Sequence, residues 1–96
     1  MLLDELKQNK DLIEAMVAQY GARRLRVFGS VARGDEHPDS DVDFLVELPR
    51  GYDLITQRLP LTQNLEDMLH RKVELIPEHE LNPHIREQVM KEAVEL

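Results

Sequence analysis

The sequence predicts a small α/β (α+β) domain, in which a mixed β-sheet of about three strands is flanked by helices. Three observations support this fold class. Short apolar and β-branched runs bounded by turn residues predict the strands. Longer stretches with apolar residues every three or four positions predict helices before, between and after them. The chain has only 96 residues, so we expect a single domain over residues 1–96 with a limited core.

The predicted helices follow from this spacing and from the positions of proline. The first runs from about Leu2 to Tyr20, and the second covers the apolar positions from Ile55 to Leu69. Pro60 would cost about 3 kcal/mol in a helix interior, so it is expected to kink that helix or to start it afresh as a first-turn residue. Asn82 and Pro83 predict the start of the last helix. Its buried side is expected to carry Ile85, Val89 and Ala93.

The first predicted strand, Leu25 to Phe28, ends in a turn whose residues suit a phosphate group. A strand that turns tightly into a helix leaves backbone N–H groups free to meet an anion. Gly29 has no side chain, so a phosphate can approach the backbone closely. Ser30 adds a hydroxyl donor, and Arg33 adds a fixed positive charge. These three residues are candidate phosphate ligands, although a Gly-Ser pair alone also marks ordinary turns.

The second predicted strand, Asp41 to Leu48, opens with two carboxylates. Alternate residues of a strand share a face, so Asp41 and Asp43 are expected to point the same way, with the core on the other side. Like charges held that close repel each other unless a cation lies between them. Mg²⁺ prefers oxygen ligands and commonly combines one or two carboxylates with substrate phosphates. The pair is a candidate magnesium site, and two surface acids at the start of a solvated strand are the alternative interpretation.

Composition narrows the classes of function. Nineteen acidic residues against twelve Lys and Arg give a formal net charge of −7. A free-standing nucleic-acid binder is usually basic, so no direct nucleic-acid partner is expected. The absence of Cys excludes disulfides and thiol chemistry. No stretch is apolar enough for a membrane helix or a signal peptide, so a cytoplasmic protein is expected. A solvated face is expected to carry Glu87, Glu92 and Glu95.

The two motifs together are far more specific than either alone. Residues 29–35 read Gly-Ser-Val-Ala-Arg-Gly-Asp, and residues 40–46 read Ser-Asp-Val-Asp-Phe-Leu-Val. This combination resembles the polymerase β-like nucleotidyltransferase superfamily. More narrowly, it is similar to the minimal nucleotidyltransferases of bacteria and archaea, which are antitoxins encoded beside HEPN-domain toxins. The resemblance covers nearly the whole chain and implies a nucleotidyltransferase-like core.

The resemblance also implies a third carboxylate on a later strand. In this chain the matching residue is Glu74, within the predicted strand from Arg71 to Pro77. The family usually has Asp there, and Glu is one methylene longer. By resemblance, the catalytic and metal-binding residues are Asp41, Asp43 and Glu74, with Mg²⁺ as cofactor. The nucleotide-binding residues for ATP are Gly29, Ser30 and Arg33.

The activity implied by the resemblance is protein adenylylation. The chain would transfer AMP from ATP to a tyrosine hydroxyl of a cognate HEPN ribonuclease toxin and so silence it. Two alternatives stay open. One is an antitoxin that blocks its toxin by binding alone, with its site decayed at Glu74. The other is a nucleotidyltransferase acting on a small molecule such as an aminoglycoside, which is disfavoured because larger relatives use additional domains to hold such substrates.

Overall fold

The computed structural model describes the whole chain, from Met1 to Leu96, as five α-helices and four β-strands. The helices are α1 (Leu2–Gln8), α2 (Lys10–Gln19), α3 (Gly29–Arg33), α4 (Leu59–Leu69) and α5 (Pro83–Glu92). The strands are β1 (Arg23–Phe28), β2 (Val42–Glu47), β3 (Val73–Pro77) and β4 (Val94–Glu95). A π-helical turn, Leu54–Arg58, leads into α4, and a 3₁₀ turn, Glu78–Glu80, follows β3. None of the helices combines the length and the apolar composition needed to cross a membrane.

The strands form one mixed sheet in the order β3-β2-β1-β4. β2 and β3 are parallel and joined by the crossover through α4, whereas β1 is antiparallel to both β2 and β4. The predicted mixed α+β fold is confirmed, but the sheet has four strands rather than about three. The fourth strand is only Val94 and Glu95, paired with Val27 and Arg26. Two residues are too few to leave a periodic pattern in the sequence.

Helices cover both faces of the sheet. On one face, apolar residues of α1 to α4 pack against Val42, Phe44 and Val46 of β2, which are fully buried. On the other face, Leu45 of β2 belongs to a smaller apolar cluster with Val89 of α5. The sequence predicted a core on one side of β2 and carboxylates on the other. The face of the sheet that carries the carboxylates therefore also has a small apolar core, which α5 covers.

The first predicted helix, Leu2 to Tyr20, is two helices. Asn9 interrupts it with φ −99° and ψ 17°, and its Nδ2 donates a hydrogen bond to the carbonyl oxygen of Glu5 at 2.9 Å. Asn is prone to such local bonds, which compete with helical hydrogen bonding. The break still lets both segments bury an apolar side chain, since Leu6 and Ile13 are fully buried on either side of it.

Proline and asparagine start the other helices near the predicted places. Of the two alternatives predicted for Pro60, a kink or a first-turn position, the structure shows the second, since Pro60 lies in the first turn of α4. Asn82 caps α5 by accepting a hydrogen bond from the backbone N–H of His84 at 2.9 Å. The predicted buried side of α5 is confirmed at Val89 and wrong at Ile85, which is exposed. Ala93 packs against the same apolar cluster as Val89, but it lies just beyond the end of the helix because the chain turns there into β4.

Candidate active site

The predicted phosphate turn lies where β1 passes into α3. Gly29 begins α3 with φ +73°, a left-handed conformation that glycine adopts without strain. A Cβ atom at this position would lie 2.4 Å from Oδ2 of Asp43 on the neighbouring strand β2. Ser30 follows and is partly exposed. Gly29 therefore permits the turn and also leaves the space that the Asp43 carboxylate occupies.

Asp43 and Glu74 meet across β2 and β3. The strands are parallel neighbours, and Asp43 pairs with Glu74 in their register, so both side chains stand on the same face of the sheet. Burial, the hydrogen bond and negative charge of Glu74, and the negative charge of Asp41 together raise the pKa of Asp43 to about 6. The structure thus pairs Asp43 with Glu74, two of the three carboxylates that the sequence analysis named. The catalytic and metal-binding roles of all three stay predictions.

Asp41 lies just before β2, exposed, at the end of a loop that is tied to another part of the chain. Nη1 of Arg71 donates to the carbonyl oxygens of His37 at 2.9 Å and Ser40 at 3.5 Å. Within the loop, the backbone N–H of His37 donates to Oγ of Ser40 at 2.8 Å. Sequence reasoning missed Arg71, because a position between α4 and β3 does not show which distant loop it contacts. Its contacts fix the loop that carries Asp41.

Arg33 is held by two carboxylates. Its Nε lies 3.2 Å from Oδ2 of Asp35, and its Nη1 is ion-paired with Glu92 at the end of α5. The Glu92 side chain is only 15% exposed, so its predicted place on a solvated face is wrong. Its negative charge also contributes to the raised pKa of Asp43. Arg33 remains half exposed, and a nucleotide phosphate would compete with these two carboxylates for its guanidinium.

Comparison with known proteins supplies the family. Residues 9–96 match the nucleotidyltransferase domain family. The chain belongs to this family. The assignment confirms what the two motifs indicated, and it covers the turn at Gly29, the Asp41 to Asp43 segment and Glu74 together.

Relatives of this nucleotidyltransferase are found among archaeal proteins. One, from Methanocaldococcus jannaschii and provisionally named a protein adenylyltransferase, is 29% identical over 96 residues, which are 100% of this chain and 99% of the relative. Protein adenylyltransferase MntA of Thermococcus cleftensis is 36% identical over 76 residues, covering 79% of this chain and 76% of MntA. The similarity therefore extends over most of both proteins in each comparison.

Solved structures share the fold of this nucleotidyltransferase. A protein provisionally named a minimal nucleotidyltransferase has a TM-score of 0.84 and 40% identity, over 98% of this chain and 95% of that one. A crystal structure of a toxin–antitoxin with AMP-PNP has a TM-score of 0.75 and 25% identity, over 91% of this chain and 71% of that one. The minimal nucleotidyltransferase fold is thus established for the chain.

The donor set of the nucleotidyltransferase suits a magnesium ion shared with a nucleotide. No group of three or more His, Asp or Glu side chains is gathered closely enough to hold a metal ion by itself. Asp43 and Glu74 nevertheless present carboxylate oxygens on one face, with Asp41 adjacent. Because Mg²⁺ usually combines one or two carboxylates with substrate phosphates, these residues fit such an ion in the presence of ATP.

The raised pKa of Asp43 leads to a prediction about stability. The folded state holds the Asp43 proton more tightly than the unfolded state does, so this residue's contribution to the free energy of unfolding falls as pH rises from about 4 to about 6. Asp43→Asn removes the ionisation. We expect the free energy of unfolding of the variant, relative to that of the wild-type protein, to rise by about 1–2 kcal/mol from pH 4.5 to pH 7.5. This value is reduced to allow for partial solvent screening.

Urea unfolding of both proteins at several pH values measures this difference. Asp67→Asn, on an exposed part of α4, is a matched control that should follow the wild-type pH dependence. Parallel curves for Asp43→Asn and wild type would show that the Asp43 carboxyl titrates normally.

Proposed function

We propose that this nucleotidyltransferase is an antitoxin that transfers AMP from ATP to a tyrosine hydroxyl of a cognate HEPN ribonuclease toxin and thereby neutralises it. The observation that carries the proposal is the direct pairing of Asp43 with Glu74 beside the Gly29 turn. Relatives named protein adenylyltransferases support the transfer of AMP to a protein. The related toxin–antitoxin structure with AMP-PNP supports both the toxin partner and ATP.

The nucleotide is held by its phosphates in this proposal. The backbone at Gly29 and the hydroxyl of Ser30 donate hydrogen bonds to phosphate oxygens, and Arg33 adds positive charge. Asp41 and Asp43 would hold Mg²⁺, and the bound ion would supply charge neutralisation for the departing pyrophosphate. The raised pKa of Asp43 indicates that its carboxylate is poorly stabilised in the free protein. It therefore gains from a nearby cation.

The transfer needs an attacking oxygen and a proton acceptor. The acceptor hydroxyl oxygen forms a bond to the α-phosphorus, and the bond from the α-phosphorus to the leaving pyrophosphate oxygen breaks. We assign the hydroxyl proton to Glu74, which is exposed and pairs with Asp43 across the two strands. The protein contributes positioning and charge rather than a nucleophile of its own.

An acceptor carried by another protein suits the shape of this site. Asp41 and Glu74 are exposed, and the main clefts of the molecule are lined by other residues. An open site can receive a side chain presented on a protein surface, whereas small molecules are usually held in enclosing pockets. The net charge of −7 would also favour encounter with a basic toxin.

The test is the intact mass of a cognate HEPN-domain toxin, which we expect the neighbouring gene to encode. We expect incubation with this nucleotidyltransferase, ATP and Mg²⁺ to add one or more AMP groups to the toxin and to abolish its ribonuclease activity. Removal of Mg²⁺ with EDTA should leave the toxin mass unchanged because no ion then neutralises the departing pyrophosphate. α,β-Methylene ATP should also leave it unchanged, because its bond between the α- and β-phosphate groups cannot be broken. Inhibition of the toxin without any added mass would contradict the proposal.

A further inference from the structure

A polar cleft of about 760 Å³ lies at the edge of the sheet opposite Asp43. It forms where β1 begins and where β2 and β3 end. None of the candidate active-site residues lines it. Its charged lining consists of Arg23, Glu47, Arg50, Glu78 and Arg86, and His79 lies among them. The cleft is therefore a separate feature with its own chemistry.

One of the cleft carboxylates, Glu47, is shared by two arginines. Its Oε2 lies 3.1 Å from Nε of Arg23, and its Oε1 lies 3.7 Å from Nη1 of Arg24. Arg24 is in turn paired with Glu95 of β4 at 2.8 Å. The negative charges of Glu47 and Glu95 are thus balanced by the guanidinium groups of Arg23 and Arg24.

The other cleft carboxylate, Glu78, is also shared by two arginines. Its Oε2 lies 2.6 Å from Nη2 of Arg26, whose side chain is only 5% exposed, and its Oε1 lies 3.6 Å from Nη2 of Arg86. Arg86 is further fixed by a hydrogen bond from Nη1 to the carbonyl oxygen of Glu78 at 3.0 Å. The carboxylate of Glu78 is therefore paired with the buried guanidinium of Arg26 and with the exposed guanidinium of Arg86, which a hydrogen bond holds in place.

Positive charge is in excess at the cleft, although the chain as a whole is acidic. Three arginines (Arg23, Arg50 and Arg86) and two glutamates (Glu47 and Glu78) line the cleft. The excess of one positive charge contrasts with a net charge of −7 for the whole chain. Arg50 is exposed at this cleft and has no ion pair within the protein. Its guanidinium is available to a ligand.

The lining indicates the class of ligand. Guanidinium groups match phosphate oxygens with two parallel hydrogen bonds, a geometry that gives strength and orientation. Only one lining residue is hydrophobic, Leu48, so the cleft has little surface on which a purine base could pack. A volume of about 760 Å³ lies within the usual range for small-molecule sites. The chemistry suits a polyanion without a large apolar part.

We propose that this cleft binds an inorganic phosphate chain, such as pyrophosphate or tripolyphosphate, through Arg23, Arg50 and Arg86. The inference is independent of the proposed function, because it uses none of the active-site residues. A phosphate chain attached to a nucleoside would bind through the same three guanidinium groups. The base would then contribute nothing to affinity at this cleft.

Titration of the ¹⁵N-labelled protein with tripolyphosphate, in EDTA and at fixed ionic strength, tests the proposal. We expect amide shifts at Gly21, Arg50 and His79. Arg50→Ala and Arg86→Ala should each weaken binding about tenfold or more, since each removes a charge-assisted contact. Lys91→Ala removes one positive charge from an exposed part of α5, where Lys91 pairs with Glu87, and should leave the affinity unchanged.

Titrations with ATP and with citrate test which class of anion the cleft binds. ATP is expected to bind the cleft as tightly as tripolyphosphate, and citrate is expected to bind at least about tenfold more weakly because its carboxylates do not reproduce a phosphate chain. Shifts confined to residues 29–33, an equal loss of affinity in Lys91→Ala, or citrate binding as tightly as tripolyphosphate would each overturn the proposal. Because Arg50 is exposed and unpaired, Arg50→Ala tests it without disturbing the fold.

Discussion

Asp43→Asn is expected to reduce adenylyl transfer about a hundredfold or more while the protein stays folded and, above pH 6, is more stable than the wild type. In the proposed reaction, the carboxylate that is costly to the fold would hold the Mg²⁺ ion that neutralises charge at the triphosphate. The measurement is the initial rate of AMP addition to the toxin. Asp67→Asn, the same change on an exposed part of α4, should retain full activity.

The double variant Asp41→Asn/Asp43→Asn and two variants of Glu74 extend this test. If Glu74 is the general base, Glu74→Gln should slow transfer by about 10²–10⁴-fold, whereas Glu74→Asp should be tolerated because a carboxylate remains. Loss of activity only in the aspartate variants would assign the proton to another group. Complete neutralisation of the toxin by the double variant, with no added mass, would falsify the enzymatic interpretation and identify an antitoxin that acts by binding.

Gly29→Ala is expected to cost stability and activity together. Alanine at φ +73° is strained by about 1–2 kcal/mol, and its Cβ would lie 2.4 Å from Oδ2 of Asp43. Because β2 is buried on its other face, the carboxylate and not the strand must move. We expect transfer to fall about a hundredfold, as for direct loss of the Asp43 charge. Urea unfolding and the rate of AMP addition measure the two effects separately.

Two other glycines provide matched controls for this variant. Gly34 has φ +78°, but a Cβ there would meet only the flexible end of Met1, at 2.8 Å from Cε. Gly34→Ala should lose a similar strain energy and keep its activity. Gly51 has no atom within 4 Å of a Cβ, so Gly51→Ala should change neither quantity. If Gly29→Ala transferred AMP at the wild-type rate, the position of the Asp43 carboxylate would not matter to the reaction.

The parts of the site that lie within one strand or one turn could be predicted from the sequence. The alternation along β2 places Asp41 and Asp43 on one side, and the strand-to-helix turn identifies Gly29. Glu74 was found only through the family resemblance, since one glutamate in a short strand carries no distinguishing pattern. The pairing of Glu74 with Asp43 then follows from the parallel register of β2 and β3, which no local rule sets.

Residues that reach the site from distant elements could not be predicted. Glu92 contacts Arg33 because α5 packs on α3, and its spacing from Val89 in the sequence indicates only a helix. Arg71 fixes the loop before Asp41 because the end of α4 returns to that loop. The two-residue strand β4 escapes prediction for the same reason, as its conformation depends on pairing with β1.

The buried residues of the crossover helix α4 also affect the geometry of the site. Asp43 and Glu74 lie on strands that α4 joins, and α4 packs on β3 through a core in which Leu61 and Leu65 are fully buried. A smaller side chain at either leucine leaves a cavity that neighbouring elements partly fill by shifting. Such a shift moves one carboxylate relative to the other. We therefore expect substitutions at these leucines to lower the rate of AMP transfer as well as the free energy of unfolding, although no substrate touches either side chain.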